Sequence, residues 1–310
     1  MRRLRQKKYF YTIGKYNEPT LTVKPGETIV VETADNTGNL VKTEEDGEIL
    51  PTLEKWNPLS GPIFVEGTKP GDTLIVNIND IKPLFNQGWG GQMPGGISTA
   101  GDEACGLHLI NEPVPYTVKI CPIENGIIRI PLKNGKTINV QSKPFIGTIG
   151  VAPEIDSASC LICGRFGGNM DSPDTCKGNK VFLPVSVEGA FLYLGDVHAL
   201  QGDGELGGAP VEIASECTLT LDVIKDKTIN CPRIESPEYI MTVGNSCPLD
   251  NSLRIASTEM LYWLRDEYGF DLEDAVYLSS TVFRIRVNEV INPINSSVSV
   301  MFPKKYLPES

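Results

Sequence analysis

The chain has 310 residues, with 28 Lys and Arg against 39 Asp and Glu and a formal net charge of −11. That acidic balance argues against a nucleic-acid backbone as ligand, because affinity there comes from basic residues neutralising phosphates. No apolar run approaches the roughly 18 residues of a membrane-spanning helix, and eight cysteines are too sparse for a disulfide scaffold, so a soluble, cytoplasmic globular protein with mostly buried thiols is expected.

In chain order, the basic start from Met1 to Lys8 is followed by Thr12-Ile13-Gly14-Lys15 rather than an apolar stretch. It reads as a solvated arm and not as a secretory signal. Short β-branched runs at Leu21-Thr22-Val23 and 28–33 alternate with turn residues, and two Pro-Gly-acid-Thr turns, at 25–28 and 70–73, each precede a strand. This spacing indicates a β-sandwich or barrel rather than βαβ repeats. Between the turns, 57–67 reads as a short strand ending in Glu66. Residues 85–97, rich in glycine around Trp89, lack a phosphate-binding motif and are expected to form a mobile or pocket-lining loop. His108 follows in a poorly patterned stretch. Residues 116–144 return to β character, with hairpin turns at Glu124-Asn125-Gly126 and Lys133-Asn134-Gly135, and 147–153 is a glycine-broken strand.

Cys160 and Cys163 have redox or zinc spacing. They lack a nearby second pair and a βαβ context, so packing is the better reading. In the loop after them, Gly167-Gly168-Asn169-Met170-Asp171, backbone N–H groups and the Asn169 amide could face a polar ligand; an Asx-capped turn accounts for it equally. Val185, Val187, Ala190, Leu192 and Leu194 then supply the apolar side of a strand whose end presents Asp196 and His198, two apart and therefore on one face. A carboxylate beside an imidazole suits a divalent metal. Gln201-Gly202-Asp203-Gly204-Glu205 adds two carboxylates, and Glu212 and Glu216 are expected four apart on one face of the next strand. Ordinary turn chemistry explains these residues too, so they leave a metal or catalytic role and a structural one open.

Toward the C-terminus, 252–268 carries Leu253, Ala256, Met260, Leu261 and Leu264 at helical spacing, with Gly269 as the terminating glycine. A second short helix is expected from Asp271, and 285–292 is a closing strand, after which the tail runs out. The chain holds no Gly-x-Ser-x-Gly or Ser-x-x-Lys motif.

Five segments together resemble the acetamidase/formamidase family: Asn57-Pro-Leu-Ser-Gly-Pro-Ile-Phe-Val-Glu-Gly, Gly147-Thr-Ile-Gly-Val-Ala-Pro, Gly167-Gly-Asn-Met-Asp, Leu183-Pro-Val-Ser-Val-Glu-Gly-Ala and Gly195-Asp-Val-His-Ala-Leu-Gln-Gly-Asp-Gly-Glu. The match runs in order from about Pro19 to Pro303. It implies hydrolysis of short amides such as formamide or acetamide to carboxylate and ammonia. It also implies a mainly β, jelly-roll-like sandwich with a smaller α/β portion near the C-terminus, and a divalent metal, zinc or calcium. Residues 1–150 are then the β-rich N-terminal part and 151–310 the site-bearing part, or the two form one intertwined domain. Carried over by position, Asp196, His198, Glu212 and Asp171 are the expected metal ligands. Glu216 or Glu66 would serve as general base and Asn169 as donor to the oxyanion, with Asp203 and Glu205 in the acidic glycine turn. The chain departs from the family at Phe166 and at Gly14-Lys15-Tyr16, where many members carry histidines. A metal-independent amidase and a non-catalytic small-ligand or calcium-binding sandwich are the rival readings. Partners are expected to be a small-molecule amide and further copies of the chain, as a dimer or tetramer joined near Phe302 and Tyr306, with no nucleic acid and no membrane.

Overall fold

A computed structural model of the chain describes residues 1–5, 7–92, 116–292 and 294–308. His108 and the glycine-rich stretch beyond Gln92 lie outside them. The architecture is mainly β: a nine-stranded and an eleven-stranded sheet pack over one shared apolar core, with two α-helices near the C-terminus. The core takes Ile29, Val31, Leu74, Val76 and Leu219 from the first sheet and Ile63, Ile146, Ile149, Leu192 and Leu194 from the second, all fully buried. Both sheets draw strands from either side of residue 150, and Phe145–Val151 runs through that point.

Several segments differ from the sequence expectation. The basic start is an edge strand, Arg2–Leu4, paired parallel to Glu27–Thr33, because Arg2 and Arg3 find Glu27, Glu32 and Glu216 across the sheet. Gln87–Gln92 is a strand rather than a loop. Its glycines let neighbouring backbone approach, and Trp89 is buried opposite Glu212. The tail does not run out: Ser296–Pro303 is a wholly buried strand between Tyr239–Ser246 and Arg284–Glu289. One face of this region meets the helix through Ile240, Val300 and Phe302, and the other meets the sandwich core through Met241, Val243 and Met301. Phe302 is therefore interior and not an association surface, whereas Tyr306 beside it is exposed.

Helix α1, Leu249–Tyr268, closes at Gly269, whose φ of 71° fits the left-handed position after a helix. Helix α2, Leu272–Ser279, is capped by the Asp271 side chain on the Glu273 N–H. Arg233, buried on a strand beneath α1, donates to Glu259 Oε1 from Nε and Nη2 at 3.1 and 2.8 Å and to Glu267 at 2.6 Å. Its guanidinium also stacks 4.5 Å from the Trp263 ring. No helix among the described residues is long and apolar enough to cross a membrane.

Candidate active site

The site grows from a fork in the larger sheet. One edge of Leu192–Leu200 pairs first with Leu59–Val65, through Leu194↔Ser60 and Gly195↔Leu59. The same edge then pairs with Gly208–Ile213, through Val197↔Ile213 and His198↔Glu212. Asp196 stands between the two partners with a φ of 54°, a left-handed conformation rare for a residue with a side chain and concentrated at functional positions. The strand begins at Leu192 rather than Val185, because Gly189, Ala190 and Phe191 all take positive φ and break the run. Asp196 and His198 therefore sit in its interior, not at its end.

On the other edge Phe145–Val151 keeps continuous register, with Ile146↔Val197 and Thr148↔Gly195, so Gly147 faces Asp196. A Cβ on Gly147 would lie 2.5 Å from both Asp171 Oδ1 and the Asp196 carbonyl oxygen. Only glycine leaves room for the Asp171 carboxylate to enter the fork. The expected pair Asp196 and His198 meets there: His198 Nε2 lies 3.5 Å from Asp196 Oδ1 and 3.3 Å from Glu212 Oε1, all three side chains being almost wholly buried. Glu205 joins from the turn at Gly202. Asp171, Asp196 and His198 form one set of ligand atoms within 4.8 Å of one another, and His198, Glu205 and Glu212 form a second.

Four further residues fix the geometry. The Asn57 side chain donates to Asp196 Oδ2 at 2.7 Å and to Asn169 Oδ1 at 3.0 Å. Thr148 Oγ1 donates to the same two oxygens, and Asn169 Nδ2 donates to Asp171 Oδ2 at 2.7 Å. Gln201 Nε2 donates to the backbone carbonyls of Asp171 and Asn288, both at 2.9 Å. With its amide hydrogens committed, Gln201 can only accept from His198 Nδ1, 2.8 Å away. The proton of neutral His198 is thereby assigned to Nδ1, and the Nε2 lone pair faces the carboxylates, the arrangement found behind metal-bound histidines.

The electrostatics of the cluster are unbalanced. Burial pushes Asp171 up to about 7, with Asp196 adding and His198 opposing. It pushes Glu212 up to about 8 against the pull of His198, and Glu205 well above the carboxylate range. Glu289, buried beside Asp171, rises by the same cause to about 9. Burial alone would lower His198, but Glu212 and Asp196 outweigh it and hold it well above the ordinary imidazole value, so a cation bound at Nε2 would displace a proton held there. His198 Nε2, Asp171 Oδ1, Glu205 Oε2, Glu212 Oε2 and Glu289 Oε2 are buried without a hydrogen-bond partner among the described residues. Buried polar atoms are normally satisfied, and this many orphans around one imidazole fit a cation with mixed nitrogen and oxygen ligands.

Other expected residues lie elsewhere. Glu66 is exposed beyond the end of Leu59–Val65. Glu216 does not share a face with Glu212: the chain crosses to the other sheet at Ala214, and Glu216 pairs with Arg3 there. Asp203 turns outward to Arg286 at 3.2 Å. Cys160 and Cys163 are buried thiols, Cys160 pushed up to about 12 and Cys163 well above 9, chiefly by burial. That makes them unreactive. Phe166 packs against the apolar clusters near Cys160 and Cys163 rather than entering the site.

Two cavities adjoin the cluster. One, of about 400 Å³, reaches Glu212 and Asp35; the other, of about 260 Å³, reaches Glu205 and Gln201 and is otherwise lined largely by the glycine turn.

The model of the acetamidase/formamidase family matches residues 16–160 and 156–307. The chain belongs to this family. An acetamidase structure from Yersinia enterocolitica superposes with a TM-score of 0.91 at 35% identity, covering 98% of this chain and 91% of that one. The acetamidase of Mycolicibacterium smegmatis is 29% identical over 256 residues, 66% of this chain and 63% of the relative. The formamidase of Methylophilus methylotrophus is 28% identical over 251 residues, 66% and 61%. The chain thus spans less than two thirds of the length of the curated relatives it matches.

Within this acetamidase/formamidase member, four of the five segments that carried the resemblance converge in space. Asn57, Gly147, Asn169, Asp171, Asp196, His198 and Glu205 all stand at the fork. Asn57 and Gly147 each head a segment singled out in the sequence, yet nothing in their residue type announced a role at the site. Gln201 lay in view inside the acidic turn, but its function depends on the Asn288 carbonyl, far along the chain. Glu289 and Asp35 had no sequence signal.

Proposed function

We propose that this chain hydrolyses small amides to carboxylate and ammonia, with a divalent cation held by His198, Asp196, Asp171 and Glu212 and with Glu205 beside it. The observation that carries the reading is His198 Nε2, unpartnered among the described residues and oriented by Gln201 toward the carboxylates. Zinc would recruit His198 Nε2, whereas calcium would draw mainly on carboxylate oxygens. A cation bound there supplies Lewis acidity to an amide carbonyl and acidity to a water molecule.

The remaining tasks fall to the chain's own groups. Hydrolysis breaks the C–N bond, forms a C–O bond to water and moves one water proton to the departing nitrogen. Glu205 suits that proton transfer, since it lines the smaller cavity beside the cluster and burial holds its carboxyl well above the ordinary carboxylate value; Glu66 and Glu216 do not reach the cluster. Asn169 is committed through one N–H to Asp171, leaving its other N–H for a developing oxyanion, a contact worth about 3 kcal/mol where such donors have been removed. Asn57 and Thr148 hold the Asp196 and Asn169 oxygens in place.

The test is ammonia release from formamide, acetamide, propionamide, hexanamide and benzamide, before and after exhaustive chelation and after return of zinc or calcium, with His198→Ala and Glu205→Gln alongside. Activity lost on chelation, restored by one metal and absent from His198→Ala supports the reading. A verified metal-free protein that keeps full turnover overturns the cation's role. A metal-loaded protein that releases no ammonia from any amide overturns the hydrolase and leaves a binding protein.

A further inference from the structure

The larger cavity has no part in the reading above. Its about 400 Å³ lies against Glu212 and Asp35, with Val41, Trp89, Ile213 and Ala214 as walls. A water occupies about 30 Å³ of liquid, so a three-atom amide such as formamide needs roughly 90 Å³. The space beside the cluster exceeds this several-fold. Its inner wall is packed, Trp89 belonging to a buried cluster with Val41, Leu50 and Ala209, while exposed Lys42, Phe85 and Asn86 line its outer side. Ile213 lies on a strand fixed on both edges. The second cavity, beside Glu205, contrasts with it, being formed largely by Gly202, Asp203, Gly207 and Gly208.

Trp89 also keeps its indole N–H buried without an acceptor among the described residues. A buried Trp N–H normally finds one. A preformed, largely apolar space with a few convergent polar groups is what a small-molecule pocket requires, and Glu212 is shared between this space and the cluster at His198.

We infer that this cavity is the acyl pocket of the enzyme and that its substrates are primary amides with an acyl group of about four to eight carbons, aliphatic or aryl, rather than formamide or acetamide. The inference rests on the hydrolase reading and narrows its substrate class. The acyl chain lies against Trp89, Val41, Ile213 and Ala214, while the amide carbon stays at the His198 cluster. Each buried methylene is worth about 0.8 kcal/mol, about fourfold in kcat/KM.

The experiment is ammonia release by the metal-replete wild type from formamide, acetamide, butyramide, hexanamide and benzamide. The expected result is a kcat/KM for hexanamide or benzamide on the order of 100-fold above acetamide. In Val41→Phe, which fills the cavity from one wall, the ratio of hexanamide to acetamide should fall at least tenfold. Quenching of tryptophan fluorescence by hexanoate, strong in the wild type and weak in Trp89→Phe, reads the same pocket without turnover. A kcat/KM that is highest for formamide or acetamide and falls with chain length overturns the acyl pocket and leaves the hydrolase standing. No ammonia from any of the five amides overturns both.

Discussion

Gln201 and His198 face each other at 2.8 Å, and their hydrogen bond has a fixed direction because Gln201 spends its amide hydrogens on the Asp171 and Asn288 carbonyls. One residue thus sets a tautomer, aims a lone pair and ties three segments of chain together. Replacing it by Leu removes the acceptor at Nδ1 and frees the ring to rotate. Metal affinity in Gln201→Leu should drop 10–100-fold, measured by competition with a chromogenic chelator. An unchanged affinity would show that the imidazole is held by other means.

Gly147 makes a second prediction, from sterics. Its missing Cβ is the space that the Asp171 carboxylate enters, and one of the two 2.5 Å clashes is with backbone at Asp196, which cannot swing away. Gly147→Ala should cost about 1–3 kcal/mol as an overpacked interior and weaken metal binding as well. Thermal unfolding and metal titration on the same preparation check both effects, and a variant with native melting and native affinity would contradict the account.

Acid sensitivity is expected to run in part through Asp72, far from the site. Burial works to raise its carboxyl, but Lys225 Nζ at 2.8 Å and the Asp226 and Lys69 N–H groups outweigh it and hold it below the ordinary carboxylate value. A folded value below the unfolded one stabilises the fold fully above the unfolded value of about 3.9, and that contribution is lost as pH falls through the folded value. Asp72→Asn should therefore be less stable than wild type at pH 7, by about 1–3 kcal/mol for charge-assisted bonds. The difference should shrink toward pH 3 in urea titrations; a gap that widens with acid would reverse the sign.

The docking of α1 rests on a buried charge. Arg233→Met leaves Glu259 buried with its partner gone, a loss of about 3–5 kcal/mol when one side of such a pair is removed. Adding Glu259→Leu removes the stranded carboxylate and should recover most of that stability in denaturant unfolding. If the double variant is as unstable as the single one, the loss comes from the contact with Trp263 rather than from the unpaired charge.

The residues by themselves determined the β-rich character, because alternation and turn chemistry are local: Asn125-Gly126 and Gly135 turn where hairpins were expected, and α1 ends at Gly269. They also placed Asp196 and His198 on one face, since two positions apart on one strand are neighbours in almost any fold. Local periodicity reaches no further than a single strand or helix. It misplaced Glu216, because the crossing to the other sheet at Ala214 depends on which strands pair and not on Glu212 or Glu216 themselves. It treated 296–303 as a tail, because alternating Ser and Val do not by themselves reveal a helix on one face and a core on the other. The fork at Asp196, the opening made by Gly147 and the bond from Gln201 to His198 each join residues far apart in sequence. Only the tertiary structure decided them, because hydrogen-bond direction, steric room and burial belong to groups in contact, and contact across the chain has no local period to read.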